Sequence, residues 1–348
     1  VSASDLMGET VRWMRELESH GRPAMGVRTG IRELDAWTCG LHPGDLVIVA
    51  GPAAMGKSSM VLWLAATCGR PALLFSLEMP KDQLALRLIA GEAETPIYQI
   101  RNPRRWPNTA AKAVDAAGQI ARATLWIDDR SALTTAQIRS RARRMVRQHG
   151  IALVVVDYLQ IMRPTATKRG QSRERDVADM TAELKDLARS LSIPVVVLSQ
   201  MSRAFAGRMN AAKQGKAVMD AARPRLSDLR DSGAIEQDAD LVLFPWRPSH
   251  LGDTADRKAW DAPPEDAEII VAKNRQGPTG TIPVTWIPAR MRFIERVGAT
   301  DVHDEVDAVM DPEPAPMPEP AFEANGRRAA RFDRVSREKA DGINALFF

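Results

Sequence analysis

The stretch that decides the fold is Leu46-Val-Ile-Val-Ala-Gly-Pro-Ala-Ala-Met-Gly-Lys-Ser58. Its first five residues are all apolar and read as a buried strand. The next eight fit the spacing G-x-x-x-x-G-K-[ST] of a phosphate loop. Glycine at 51 and 56 lets the backbone curl without Cβ clashes, which turns successive N–H groups inward onto an anion. A helix starting near residue 57 adds the positive end of its dipole. Lys57 is expected to reach the β- and γ-phosphates of a nucleotide, and Ser58 to offer its hydroxyl to Mg²⁺. The candidate nucleotide-binding set is Gly51, Pro52, Ala53, Ala54, Met55, Gly56, Lys57, Ser58 and the adjoining Ser59. Placement between an apolar strand and a helix separates this pattern from a chance glycine turn.

Outward from the loop, strands and helices alternate. Strands are expected at 46–50, 72–76, 124–127, 151–156, 194–198, 241–244, 267–272 and 281–286. Helices are expected at 57–68, across 80–122, at 135–149 and at 173–191. The valine-rich runs at 151–156 and 194–198 are nearly continuously apolar, as in strands of a parallel sheet covered on both faces. The fold class is therefore α/β, with a mostly parallel central sheet, helices on both faces and antiparallel strands near the C-terminal end.

Composition narrows the classes. The chain has 348 residues, of which 45% are hydrophobic and 26% charged, enough to build a sizeable core. Its apolar runs fall far short of the roughly 20 residues a bilayer-spanning helix needs, and its start carries no secretion-type pattern. The two cysteines, Cys39 and Cys68, suit a reducing compartment, so a cytoplasmic location is expected. A net charge of +4 permits nucleic-acid contact without requiring it. Residues 4–18 carry Leu6, Val11, Met14 and Leu17 at near-helical spacing. One apolar stripe on so short a helix needs a host, and a neighbouring subunit is a reasonable one. Residues 301–320 hold seven acidic side chains, no Lys or Arg, and a proline-rich run, the composition of a disordered linker. Three regions result: a short helix at 1–28, a large α/β domain at 29–297, and a tail at 298–348 ending in the apolar Ile343-Asn-Ala-Leu-Phe-Phe348.

Three polar residues follow apolar strands. Asp157 ends Leu153-Val-Val-Val-Asp157, the position of a carboxylate that holds Mg²⁺ through water. Glu78, in Leu74-Phe-Ser-Leu-Glu-Met79, fits either a carboxylate that orients the attacking water or an ordinary surface residue. Gln200, closing Val197-Leu-Ser-Gln200, is open to a similar choice, as a sensor of the γ-phosphate or a plain surface amide.

Taken together, these motifs resemble DnaB-type replicative DNA helicases, whose motor is a RecA-like core. The order phosphate loop, L-F-S-L-E-M at 74–79, V-V-V-D-Y-L-Q at 154–160, V-L-S-Q at 197–200, L-S-D-L-R-D-S-G-A-I-E-Q-D-A-D at 226–240 and A-K-N-R-Q-G-P-T-G-T at 272–281 is shared with that family. The resemblance covers residues 29–294, and the 226–240 segment is its most specific part. It implies an ATP- and Mg²⁺-dependent homohexamer that moves 5′ to 3′ on single-stranded DNA. It implies Glu78 as catalytic carboxylate and Gln200 as γ-phosphate sensor, with Arg275 as an arginine finger and Lys273 as its companion, both acting on a neighbouring subunit's nucleotide. Without the family, those two cations read as part of a solvated hairpin. The resemblance further implies DNA contacts at Arg230, Asp231 and Gly233. The charged loop with Lys168, Arg169 and Arg173 is a second candidate, or else an ordinary surface loop. Departures are Pro52 and Ser58, where relatives commonly carry arginine and threonine, and Asp231 in place of glutamate. Relatives also carry a helical N-terminal collar that binds primase; with about 28 residues before the motor, something like the family's linker helix is expected here, and the collar is expected to be missing or to lie on another chain. Primase, a helicase loader or another replisome protein are the expected partners, through the N-terminal helix or the tail. Two other readings use the same phosphate loop: a RecA-like recombinase or mediator, and an ATP-dependent loading factor without unwinding activity.

Overall fold

A computed structural model of the protein describes residues 2–20, 26–164, 172–213, 222–229, 232–251 and 263–296. Of the residues singled out above, Lys168, Arg169, Arg230, Asp231 and the whole of 298–348 lie outside these ranges.

The described strands are β1 (Leu46–Ala50), β2 (Ala72–Ser76), β3 (Leu125–Asp128), β4 (Leu153–Asp157), β5 (Val195–Ser199), β6 (Leu241–Trp246), β7 (Glu265–Asn274), β8 (Gly280–Ile287) and β9 (Arg292–Glu295). They form one sheet in the order β3-β2-β4-β5-β1-β6-β7-β8-β9. The first six are parallel, and β7, β8 and β9 add antiparallel to the β6 edge. The expected class is thus the observed one.

Helices cover both faces of the parallel part. The described helices are α1 (Ala3–His20), α2 (Arg32–Thr38), α3 (Lys57–Thr67), α4 (Lys81–Glu92), α5 (Ile97–Ile100), α6 (Asn108–Ile120), α7 (Thr135–His149), α8 (Arg173–Leu191), α9 (Arg203–Lys213) and α10 (Ser232–Asp238). Along β1, Val47 and Val49 face a core shared with Met60 and Leu64 of α3 and Leu84 and Leu88 of α4. Leu46, Ile48 and Ala50 face the opposite core, with Ile138 and Ala142 of α7 and Met180, Leu184 and Leu187 of α8. Both faces being apolar, every residue of β1, β2, β4 and β5 is buried. Helix α7 begins in a reciprocal capping box between Thr134 and Gln137 and stops at Gly150, which takes a left-handed conformation.

Apolarity on both faces also explains where the sequence reading slipped. With no period-two signal, only the apolar run marks a strand, so β3, β4 and β5 were expected one or two residues early. Each in fact extends to a polar residue that pairs in the sheet: Asp128 beside Phe75, Asp157 beside Ser76, Ser199 beside Ala50. Asp157 and Ser199 line the candidate site, whereas Asp128 pairs with Arg130 and Arg141. Helices α2, α9 and α10 and the short edge strand β9 were not anticipated. All are short or follow motif-like sequence with weak periodicity.

Candidate nucleotide site

The phosphate loop bridges the end of β1 and the start of α3. Gly56 caps α3 in a left-handed conformation, φ 91° and ψ 12°. A Cβ there would lie 2.8 Å from the Phe293 ring and 3.0 Å from Trp286, so backbone sterics and packing both require glycine. Gly51 differs from expectation: its φ is not left-handed, and an added Cβ would meet Pro245 O at an ordinary 3.5 Å. The steric demand read for both glycines rests on Gly56 alone. Ala54 takes a φ of 65°, and its carbonyl accepts a 2.9 Å hydrogen bond from Arg247 Nη1. Arg247 is only 9% exposed, pairs with Glu265 and lies 4.7 Å over the Trp286 ring. Met55 is fully buried against Phe205, Met209 and Trp246, so it pins the loop from below and offers a nucleotide its backbone only.

The loop opens on a cavity of about 900 Å³ lined by Lys57, Ser58, Glu78, Arg87, Asp157 and Gln200, among others. The sheet order brings these together, because β2, β4, β5 and β1 all end at this edge. Lys57 Nζ donates to the carbonyls of Gly51 and Pro52, each at 2.7 Å. Burial lowers its pKa to about 8, against the opposing pull of Asp157 and Glu78. Burial pushes the Asp157 carboxyl up, while a hydrogen bond from Ser58 and the charges of Lys57 and Arg87 hold it down. Glu78 is exposed to the cavity, and Leu77 N donates to Asp157 O at 2.8 Å, fixing the turn that carries it. Gln200 is set by Gln160, whose Oε1 accepts from Gln200 N at 3.2 Å and whose Nε2 donates to Ser199 Oγ at 2.9 Å. Arg173, at the start of α8, donates from Nη2 to Gln160 O at 2.8 Å.

Sequence reading missed Arg87. It sits on α4 beside the buried Leu84 and Leu88, and burial lowers its pKa while Asp157 and Glu78 raise it. Only the fold turns this cation toward the strand tips, since its sequence neighbourhood reads as an ordinary amphipathic helix. Gln160 and Arg247 were overlooked for the same reason.

Lys273 and Arg275 lie elsewhere. They stand where β7 ends, next to the start of β6, since Leu241 pairs with Asn274. Arg275 Nη1 bonds Asp240 Oδ1 at 3.2 Å and Nη2 donates to Gln237 O at 2.6 Å. Lys273 Nζ donates to Glu236 O, and burial together with Arg275 lowers its pKa. Asp240 also accepts from Leu46 N, the first residue of β1, at 2.8 Å. The pair is thus at the opposite end of β1 from the phosphate loop, a strand of five residues or about 17 Å away. Gly233, in α10, is exposed, and a Cβ on it would meet nothing within 4 Å.

A parallel sheet with a phosphate loop after one central strand, carboxylates after two others and an amide after a fourth defines a RecA-like nucleoside triphosphatase. The family model for the DnaB-like helicase C terminal domain matches residues 26–295, and the chain belongs to that family. It is 38% identical over 278 residues to the replicative DNA helicase DnaB of Leifsonia xyli, covering 78% of this chain and 56% of the relative. It is 39% identical over 295 residues to DnaB of Haemophilus influenzae, covering 82% and 58%. The chain therefore spans less than two thirds of the length of these relatives. Among solved structures, the ATPase domain of the protein G40P matches with a TM-score of 0.72 at 30% identity, covering 84% of this chain and 98% of that one. A DnaB-like replicative helicase, described with its interactions with primase, matches at 0.70 and 30%, covering 85% and 67%. Among the described residues no helix is long and apolar enough to cross a membrane.

Proposed function

We propose that residues 29–297 form the motor of a replicative DNA helicase. Six copies would form a ring that hydrolyses ATP and moves 5′ to 3′ along single-stranded DNA at a fork. One observation carries this reading: the phosphate loop and the Lys273–Arg275 pair occupy opposite ends of β1, so one copy cannot complete its own site. A neighbour must supply the second half. Family membership weighs against the recombinase reading.

Within each site, the loop N–H groups and Lys57 hold the β- and γ-phosphates. Mg²⁺ fits the residues present, because the Ser58 hydroxyl and Asp157 carboxylate are hard oxygen donors already hydrogen-bonded to each other at the loop. When bound, the ion neutralises charge on the phosphates. Ser58 would hold it directly and Asp157 through water, with Ser59 extending the N-terminal turn of α3. Glu78 orients and deprotonates the attacking water. Gln200 and Arg87 address the γ-phosphate from this copy, and Arg275 with Lys273 from the next.

The strand would run past Arg230, Asp231 and Gly233, and past Lys168, Arg169 and Arg173. The Arg173–Gln160 bond supports a link between that surface and Gln200. Helix α1 presents Met7, Val11 and Met14 at 56%, 46% and 57% exposure, three apolar side chains on one helical face. Their exposure supports docking of residues 1–28 on an adjacent copy. Primase, a loader or another replisome protein would bind through this helix or through 298–348.

The test is subunit mixing. Lys57→Ala and Arg275→Ala should each lack turnover alone, and their mixture should regain part of it, because some boundaries then combine an intact loop with an intact finger. Absence of any recovery in verified mixed rings would overturn the shared site. Strand separation on a forked substrate distinguishes a helicase from a loading factor.

A further inference from the structure

The finger pair needs a device to hold it, because an arginine side chain free to move loses much of its effect on a transition state. We infer that Asp240, with the terminal carbonyls of α10, is the positioning element for Arg275. The inference rests on the shared-site reading above and goes beyond it, since nothing in the phosphate chemistry assigns Asp240 a role.

The geometry is specific. Asp240 is 6% exposed and spends its two oxygens on different tasks. Oδ2 accepts from Leu46 N and from Lys185 Nζ of α8, which fixes the carboxylate against β1 and α8. Oδ1 is left for Arg275. The backbone repeats the tie on both sides: Asp240 N donates to Leu46 O and Arg275 N donates to Asp240 O, each at 2.9 Å. From the other direction, Gln237 O accepts from Arg275 Nη2. A helix leaves its last carbonyls unpaired and slightly negative, so the end of α10 is a natural seat for cations. These contacts use two of the five guanidinium donors. The side chain remains 50% exposed, so the other donors are free to face a neighbour's phosphate. Asp240 therefore holds the inner edge of the guanidinium and leaves its outer edge to act.

A purely structural Asp240 would matter through β1 and α8 alone, and that difference can be measured. Asp240→Asn keeps the shape but weakens the hold on Arg275. In the full chain it should lower kcat for ATP about 100-fold, as a misplacement of about 1 Å does. KM should stay within about twofold, because the nucleotide is bound by the other copy. Mixed with Lys57→Ala, it should recover turnover to the level that Arg275→Ala reaches in the same mixture. Lys185→Met, which leaves the Leu46 N–H on Oδ2 and the Arg275 contact on Oδ1 in place, should cost much less of kcat than Asp240→Asn does. If Asp240→Asn does not fold, the double variant Asp240→Asn/Lys185→Met leaves no buried ammonium unpaired, and the same mixing applies to it. The inference is overturned by wild-type kcat in Asp240→Asn, by an equal loss in Lys185→Met, or by no recovery where Arg275→Ala does recover. No recovery with Arg275→Ala itself takes down the shared site, and this inference with it.

Discussion

The two ends of β1 are opposites in charge chemistry. At Ala50 the chain turns into a loop whose N–H groups, lysine and helix dipole all present positive charge to an anion. At Leu46 the backbone meets Asp240 and the last carbonyls of α10, which present negative charge to two cations. In the proposed reading neither end is a complete catalytic centre: one would receive a triphosphate, and the other would hold the finger that a neighbour's triphosphate needs. The same strand separates them by about 17 Å, and the proposed ring would bring one copy's cation end to the next copy's anion end.

Breaking the anion end has the largest effect. Lys57→Ala should bring steady-state ATP turnover to background, and activity near wild type would remove the loop from the chemistry. Breaking the cation end comes next: Arg275→Ala should lower kcat by about 10³-fold or more, the range for arginine fingers. Nucleotide affinity, followed with a fluorescent analogue, should move only a few-fold. A large loss of affinity instead would place Arg275 in its own copy's binding site. Within the anion end, Gly56→Ala should cost about 2–3 kcal/mol through its left-handed backbone and the Phe293 contact, seen as a clear fall in Tm. Gly51→Ala should cost under about 1 kcal/mol. Equal falls would restore the symmetric reading of the two glycines.

Arg230→Ala probes the proposed DNA path. It should lower the salt slope of single-strand binding by about 0.7, and an unchanged slope removes it from the DNA path. The smallest effect concerns protons. Lys57 holds its proton only up to about pH 8, against an ordinary 10.5. The fold thus penalises its charged form below pH 8, and that penalty lifts as pH rises toward 10.5. Phosphate favours the charged form, so ATP binding should take up a fraction of a proton between pH 8 and 10, and affinity should fall as pH rises. Calorimetry in buffers of different ionisation enthalpy measures this, and zero uptake would mean that Lys57 keeps its charge unaided.

How much was legible follows from how local each signal is. The loop, α3, β2, α7 and α8 could be read because apolar runs, capping residues and the glycine–lysine spacing lie within a few residues of one another. Asp157, Glu78 and Gln200 were findable as polar residues just after apolar strands. Arg87 and Gln160 were not, since each looks like an ordinary charged or polar residue beside a core position. The strand tips were misplaced where apolarity on both faces erased the period that marks a strand's true end. Asp240 could be quoted within a motif, yet nothing in its neighbours shows that it touches Leu46, 194 residues away.

The sequence by itself determined the phosphate loop, the α/β alternation and the family, because backbone conformation and anion binding there depend on adjacent residues. Tertiary structure alone decided which cations face the cavity, which glycine is sterically indispensable, and that Lys273 and Arg275 stand at the far end of β1. Those are facts of strand order and packing, and a parallel sheet brings together residues that its crossover connections keep far apart in the chain.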